Sequence, residues 1–478
     1  MRESLRERER LLANAPHLVR AIPFLVPFYD GMKPGPAKLR MGLTLYDMLS
    51  YDRSVPGHRI LTRDEVLERE PTLTPDGLTG GAVYYDAQVS FVERLCVENA
   101  LDAAAHGAVI LNHAEVTALL RDGDDRVTGV EARDLLTGER GTLHARVVLD
   151  ATGPWLGRLA RRPDAQQEPP KVRMTKGIHL VTPPVTRNPV LLFAPDGRVF
   201  FSIPWFRASL TGTTDTDFRD DLDTVHATED DVAYLQEATR HYFPTAPIAE
   251  VAYTTAGVRA LMNVEGVSES EVSRRHLILD HGKHGGPHGL VSIIGGKITP
   301  YRDVTEEAVD VVMRHLRLKR ASDTKQAPLP GGEVPDEEPF EAYKARAVEE
   351  AVAAGAPLPR ETLEHLVDVY GTRHTLVLER VRRDPGLARP LCPHAPDILA
   401  QAALAAEEEM ARSTADVLLR RTTAGYSLCQ GLDAAPAVAA FLGKHLGWTP
   451  EQVEADEAAY RAEVALRGRF RAGGGAGP

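Results

Sequence analysis

The stretch VVLDATGPW at residues 147–155 decides how this chain is read. Val147, Val148 and Leu149 run without a break into Asp150 and then into the small residues Ala151, Thr152 and Gly153. A continuous apolar run of this kind marks a strand buried on both faces, as in a parallel sheet. Small residues at its carboxyl end leave space where ligands collect in open α/β sheets. Gly153 lets the backbone approach a bulky planar or phosphate-bearing group. A second run, IIGGKITPYR at 293–302, ends in the same way and leads into a helix expected over 305–316. Backbone N–H groups of Gly296–Thr299 can face an anion or a ring carbonyl there, and Lys297 adds a positive charge. The bland alternative at both places is a tight turn that needs glycine, with Lys297 in solvent.

Working outward, the segment between these motifs is rich in strands. Val109–Asn112 reads as a short strand, and 115–121 with 127–133 as an alternating meander around a Gly-Asp-Asp turn. Residues 142–150 continue into the buried run. Further strands are expected at 178–182, 190–193, 199–203, 209–213, 277–280 and 291–294. Helices are expected over 2–13, within 39–49, over 91–106 with Gly107 as its stop, and over 229–243. Residues 22–38 read as a loop because of Pro23, Pro27, Pro34 and Pro36. The polar, Pro/Gly-rich residues 321–333 read as a linker, 334–466 as an all-helical domain and 467–478 as a disordered tail. The fold class is therefore α/β: a core over 1–320, with a mainly antiparallel substrate-domain sheet over 173–254, followed by the helical domain.

Composition narrows the function. The chain has 478 residues, enough for two or three domains at about 150 residues each. Its formal net charge of −12 argues against a nucleic-acid partner. Cys96, Cys392 and Cys429 are far apart and odd in number, which excludes a disulfide scaffold, shows no zinc spacing and points to a reducing compartment. No metal site is expected, and the cluster His281, His284, His288 sits in a glycine-rich tip without Cys or carboxylate at ligand spacing. The longest apolar stretch, Ala21–Tyr29, is broken by prolines and too short to span a membrane. Walker, GxSxG and HExxH motifs are absent.

Three further residues are candidates for chemistry. Arg259 in TTAGVRALM and Arg274 before a strand suit a fork-like grip on a carboxylate or phosphate, although ion pairs or solvated charges would place them equally well. His179 in MTKGIHLVTP enters an apolar strand, where a satisfied core histidine is the commoner outcome.

Together these stretches resemble the FAD-dependent, quinone-linked glycerol-3-phosphate dehydrogenases of the D-amino-acid-oxidase-like flavoprotein superfamily. The resemblance runs through ERERLLANAPHLV (7–19), KPGPAKLRMGLTLYDMLS (33–50), GGAVYYDAQV (80–89), VVLDATGPW (147–155), KGIHLV (176–181), GTTDTDF (212–218), AGVRAL (256–261), IGGKITPYR (294–302), LPGG (329–332), YGTR (370–373), EEMAR (408–412) and DVLLRRT (416–422). It implies an FAD-binding, Rossmann-like core and FAD as cofactor. Ala151, Thr152 and Gly153 would line the pyrophosphate, Glu115 and Val116 the adenine, and Gly295, Gly296, Lys297, Ile298 and Thr299 the isoalloxazine. Arg259, Arg274 and Lys297 would gather around the phosphate and reacting oxygen of sn-glycerol 3-phosphate, with His179 as the base at the C2 hydroxyl and electrons passing to membrane quinone. The resemblance also implies a cytoplasmic enzyme, peripheral at the inner face of the cell membrane; Ala21–Tyr29 with Lys33, Lys38 and Arg40 is the candidate docking patch, a packed loop being the alternative. The helical domain is a candidate homodimer or partner surface.

Two departures stand out. Pro300 replaces the family's usual second threonine. The family's opening strand–GxGxxG–helix unit is not read in this sequence, so the core is expected to be N-terminally truncated, short of a central strand. Two rivals follow: an FAD-free remnant or interaction subunit, and an amino-acid or sarcosine oxidase of the same superfamily.

Overall fold

The computed structural model describes residues 2–50, 54–156, 158, 172–262, 276–335 and 338–472. Its decisive feature is a parallel pair. Val148–Asp150 (β7) lies beside Leu290–Ile294 (β15), with Leu290 opposite Val148 and Ser292 opposite Asp150. Leu277–Asp280 (β14) completes this sheet antiparallel to β15. The strand expected over 142–150 is split. Arg140–His144 (β6) belongs to a separate meander with Ala114–Arg121 (β4) and Val127–Asp134 (β5). The chain changes sheet between them: the Ala145 N–H donates to Thr128 and the Val148 N–H to Gly289, each at 2.9 Å. Val109–Asn112 is not a strand; Val109 and Leu111 are 84% and 56% exposed.

The substrate-domain sheet is larger than the sequence suggested. Nine strands take part: Val19–Tyr29 (β1), Arg59–Leu61 (β2), Leu78–Val89 (β3), Val172–Thr182 (β8), Val190–Phe193 (β9), Val199–Trp205 (β10), Ala208–Gly212 (β11), Thr216–Asp217 (β12) and Tyr253–Met262 (β13). Their order is β12-β8-β11-β10-β9-β1-β3-β2, and β13 pairs with β8. The sheet thus draws on residues 19–89 and extends past 254.

β1 corrects the loop reading of residues 22–29. Phe24, Val26 and Phe28 alternate with Pro23, Leu25 and Pro27, and the prolines face the β9 side. There the strands meet only at Leu25, whose N–H donates to Pro189 at 2.8 Å, so neither proline removes a ladder bond. Leu25, Val26, Phe28 and Tyr29 are buried, which withdraws Ala21–Tyr29 as a membrane patch. The exposed apolar residues lie one element on. Met41, Leu45 and Met48 fall on one side of Pro36–Leu49 (α2), a helix with no buried residue, beside Lys38 and Arg40.

Below the sheet, Ile178 and Leu180 pack with Leu192, Phe200 and Leu235, the last from helix Glu229–Tyr242. Each such side chain contributes about 1.5–3 kcal/mol by leaving water. Lys176 points the same way and is held by Asp231 at 2.6 Å.

The helical region does not hang from a loose tether. Leu329 is buried, and the Gly331–Gly332 turn presses on Tyr370 and Asn14; a Cβ at either glycine would stand 2.4 Å from a backbone oxygen. Arg94, on the helix Val92–Ala105 (α4), is fully buried. It donates to Glu98 (Nε at 2.8 Å) and to both oxygens of Glu409 at 2.7 Å, while lying 4.4 Å from the Tyr370 ring. Arg373 joins both acids at 3.1 and 3.3 Å. Of the tail expected to be disordered over 467–478, residues 467–472 are ordered. Leu466–Ala472 is a 3₁₀ helix, Arg467 stacks on Tyr253 and Tyr426, and 473–478 lie outside the described residues.

Candidate functional site

Two turns leave the same edge of the parallel sheet because β7 and β15 are neighbours running the same way. At the first, the buried Asp150 carboxylate accepts the Thr152 N–H (3.0 Å) and hydroxyl (2.7 Å), which sets the turn. Ala151 and Thr152 are left exposed. Gly153 has φ +59° with open space where a side chain would stand. At the second turn, Gly295 and Gly296 have φ +69° and +102°, and Lys297 is exposed. Ile298 is 61% exposed, an apolar side chain without protein cover. It borders a cavity of about 660 Å³ that Leu11, Leu95, Tyr301, Met313 and Leu329 also line. Bare backbone, small residues and uncovered apolar surface on adjacent strand ends fit a large flat ligand carrying phosphates. Pro300 costs little here, because it caps the helix Tyr301–Leu316, whose N-terminal N–H groups lack helical partners anyway. That helix starts four residues before the expected 305.

Next to these turns stands β13, which packs against both Gly153–Trp155 and β15. One face of the β8–β13 pair carries Thr175, Gly177 and His179 opposite Arg259, Gly257 and Thr255. Gly257 leaves open space on this face, with nothing within 4 Å of a Cβ placed there. The Arg259 guanidinium lies back across Gly177, so closely that a Cβ there would stand 2.2 Å from Nη2. Nη2 donates to the Thr213 hydroxyl at 3.2 Å, and Nη1 to Asp215 at 3.2 Å. His179 shares a hydrogen bond with Thr255 at 3.3 Å, and its ring is seated where Gly212 has no side chain (2.4 Å from a placed Cβ to Cδ2). Burial first, and the Arg259 charge second, lower its pKa to about 4, so the imidazole is neutral in ordinary buffers.

The structure thus brings His179 and Arg259 together on paired strands and sets β13 beside the turns at Ala151–Gly153 and Gly295–Thr299. Glu115 sits in the meander, paired with Arg133 at 2.7 Å across β4 and β5, and Val116 beside it is 37% exposed. Arg274 lies outside the described residues. Gly177, Gly212, Thr213, Asp215 and Thr255 were not singled out by sequence reasoning. Their signal was available: glycine inside a strand marks close approach by another group.

Adjacent strand-end turns flanked by a sheet with an arginine and a neutral histidine fit a flavin-dependent oxidoreductase. The comparisons agree. The family model described as FAD dependent oxidoreductase matches residues 1–302, and that for the C-terminal domain of alpha-glycerophosphate oxidase matches 322–453. A glycerol-3-phosphate dehydrogenase of Synechocystis is 36% identical over 470 residues, covering 95% of this chain and 83% of that one. The aerobic glycerol-3-phosphate dehydrogenase of Bacillus subtilis is 32% identical, covering 87% and 75%. The crystal structure of the Bacillus halodurans glycerol-3-phosphate dehydrogenase complexed with FAD superposes with a TM-score of 0.80 at 26% identity, covering 97% and 85%. The chain belongs to the FAD-dependent glycerol-3-phosphate dehydrogenase family, and FAD is its cofactor.

Proposed function

We propose that this enzyme oxidises sn-glycerol 3-phosphate to dihydroxyacetone phosphate and that its electrons leave to a membrane quinone. The observation that carries the reading is the open space at Gly257, between Arg259, which lies across Gly177, and neutral His179. Arg259 grips the phosphate through a planar fork whose orientation Thr213 and Asp215 hold. His179 takes the C2 hydroxyl proton on its open lone pair, and Thr255 steadies the ring. FAD supplies the acceptor for the hydride lost from C2. Ala151, Thr152 and Gly153 would hold its pyrophosphate, Glu115 and Val116 its adenine, and Gly295 to Thr299 its ring system, with Lys297 countering negative charge there. The resemblance adds Arg274 to the phosphate grip. A bound dianion also offsets the Arg259 charge, which raises the His179 pKa toward the working range and strengthens it as a base.

The exposed face of α2 supports membrane docking: Met41, Leu45 and Met48 would enter the lipid boundary, with Lys38 and Arg40 at the headgroups. Among the described residues no helix is long and apolar enough to cross a membrane.

The test is the purified chain, assayed for bound flavin by absorbance and for glycerol 3-phosphate-dependent reduction of a dye and of a soluble quinone. Colourless protein that takes up no added FAD would leave the FAD-free remnant standing. A secondary amine outpacing glycerol 3-phosphate would favour the oxidase rival. Docking is read by co-sedimentation with anionic vesicles; a triple Met41/Leu45/Met48→Gln variant that sediments as wild type removes it.

A further inference from the structure

Cys392 and Cys429, 37 residues apart in sequence, share one apolar cluster of the helical domain. The first lies in the irregular segment before the helix Leu399–Glu408, the second in the turns before Ala435–Leu446. Cys392 belongs to the buried apolar cluster of this domain and Cys429 packs against it. The Ser427 hydroxyl adds a further contact to Cys429 at 3.3 Å.

Two more ligand types converge on the same point. One ligand atom each of His394, Cys429 and Asp433 lie within 4.8 Å of one another. The His394 Nε2 to Asp433 Oδ2 distance is 3.5 Å. A tetrahedron with bonds of about 2.0–2.3 Å has edges of roughly 3.3–3.8 Å, so this spacing is already that of co-ligands. Cys392 is buried among Leu391, Ala395 and Leu442, whereas His394 and Asp433 are half exposed. The half-buried Cys429 sulfur therefore closes the inner side of the cluster, and the imidazole and carboxylate its outer side.

We infer that His394, Cys429 and Asp433 form a metal site for one borderline-soft divalent cation, zinc in chemical class. One thiolate, one imidazole and one carboxylate suit zinc and disfavour oxygen-seeking magnesium or calcium. The three ligands staple two segments that lack regular secondary structure. It revises the reading that the chain holds no metal site: His394 and the C-x₃-D pair of Cys429 and Asp433 meet only through the fold.

The experiment uses the full chain without an affinity tag, expressed with zinc and purified without chelator. Elemental analysis is expected to find about one zinc per chain in the wild type and in Cys96→Ser, falling about tenfold or more in Cys429→Ser and in His394→Ala. Should those variants fail to fold, cobalt added to the metal-stripped wild type gives a second readout. Tetrahedral d–d bands with a sulfur-to-cobalt charge-transfer band, both abolished by zinc, are expected. Substoichiometric zinc together with absent cobalt bands would overturn the inference. So would zinc retained in folded Cys429→Ser, or a Cys392–Cys429 disulfide found by mass spectrometry after immediate thiol blocking. None of these readouts depends on flavin or on turnover.

Discussion

Replacing Gly177 by alanine separates substrate grip from stability. The new Cβ would stand 2.2 Å from Nη2, 2.6 Å from Nη1 and 2.7 Å from Cζ of Arg259. Gly177 is not among the positive-φ glycines, so the strand accepts alanine without strain. The obstructing atoms are the far end of a long side chain, and the guanidinium moves rather than the sheet. Its bonds to Thr213 and Asp215, both 3.2 Å and part-buried, are then lost, at a cost of roughly 1–2 kcal/mol. Alanine returns about 0.4–1 kcal/mol by restricting the unfolded chain. The melting temperature should fall by no more than about 3 °C. The phosphate loses a charge-assisted fork of about 1.5–3 kcal/mol, so KM for glycerol 3-phosphate should rise about 10- to 150-fold. The turnover number should change less, since His179 and Thr255 are untouched. Steady-state dye reduction by FAD-loaded enzyme gives both constants, and a thermal melt of the same sample gives stability. A KM within about twofold of wild type, with the variant folded, would refute the placement of the phosphate beside Arg259.

Two other outcomes follow from buried charge. Glu409→Ala leaves Arg94 and Arg373 facing Glu98 alone in a cluster where Arg94 and Glu98 are fully buried; urea unfolding should show a loss of about 3–5 kcal/mol, and a loss under about 1 kcal/mol would contradict the anchoring role. Acid should weaken the fold through His17 and His179. Burial, then Arg94, Arg373 and Arg20, lower the His17 pKa to about 3, and His179 sits near 4, against an ordinary 6.5. Unfolded chains bind more protons than folded ones in between, so stability rises with pH from about 4 to about 6.5 and is lost on acidification. Melting temperatures from pH 5 to 7.5 should vary less in a His17→Leu variant; an unchanged slope would point elsewhere.

The parallel pair was legible because burial on both faces leaves an unbroken apolar run, and because ligand clefts demand small residues at strand ends. The C-terminal helices were legible by periodicity. β1 was not, since Pro23 and Pro27 carry the same breaker signal whether they face a full ladder or the single bridge to β9. Residues 142–150 were merged into one strand because a switch between sheets at Ala145–Val147 leaves no mark in hydropathy. Of the site, Arg259 and His179 came through the resemblance, whereas their fit depends on Gly177 and Gly212, whose role is visible only once a neighbour is laid across them. Arg94 reads as an ordinary helix-surface arginine until Glu409, 315 positions away, is folded against it.

The Leu-Pro-Gly-Gly turn has a consequence for how the molecule comes apart. With Gly331 and Gly332 wedged between Asn14 and Tyr370, and a four-residue ionic clasp beside them, the join is a seam rather than a hinge. Nicking the backbone there should release no autonomous fragment: both halves would melt in one cooperative step.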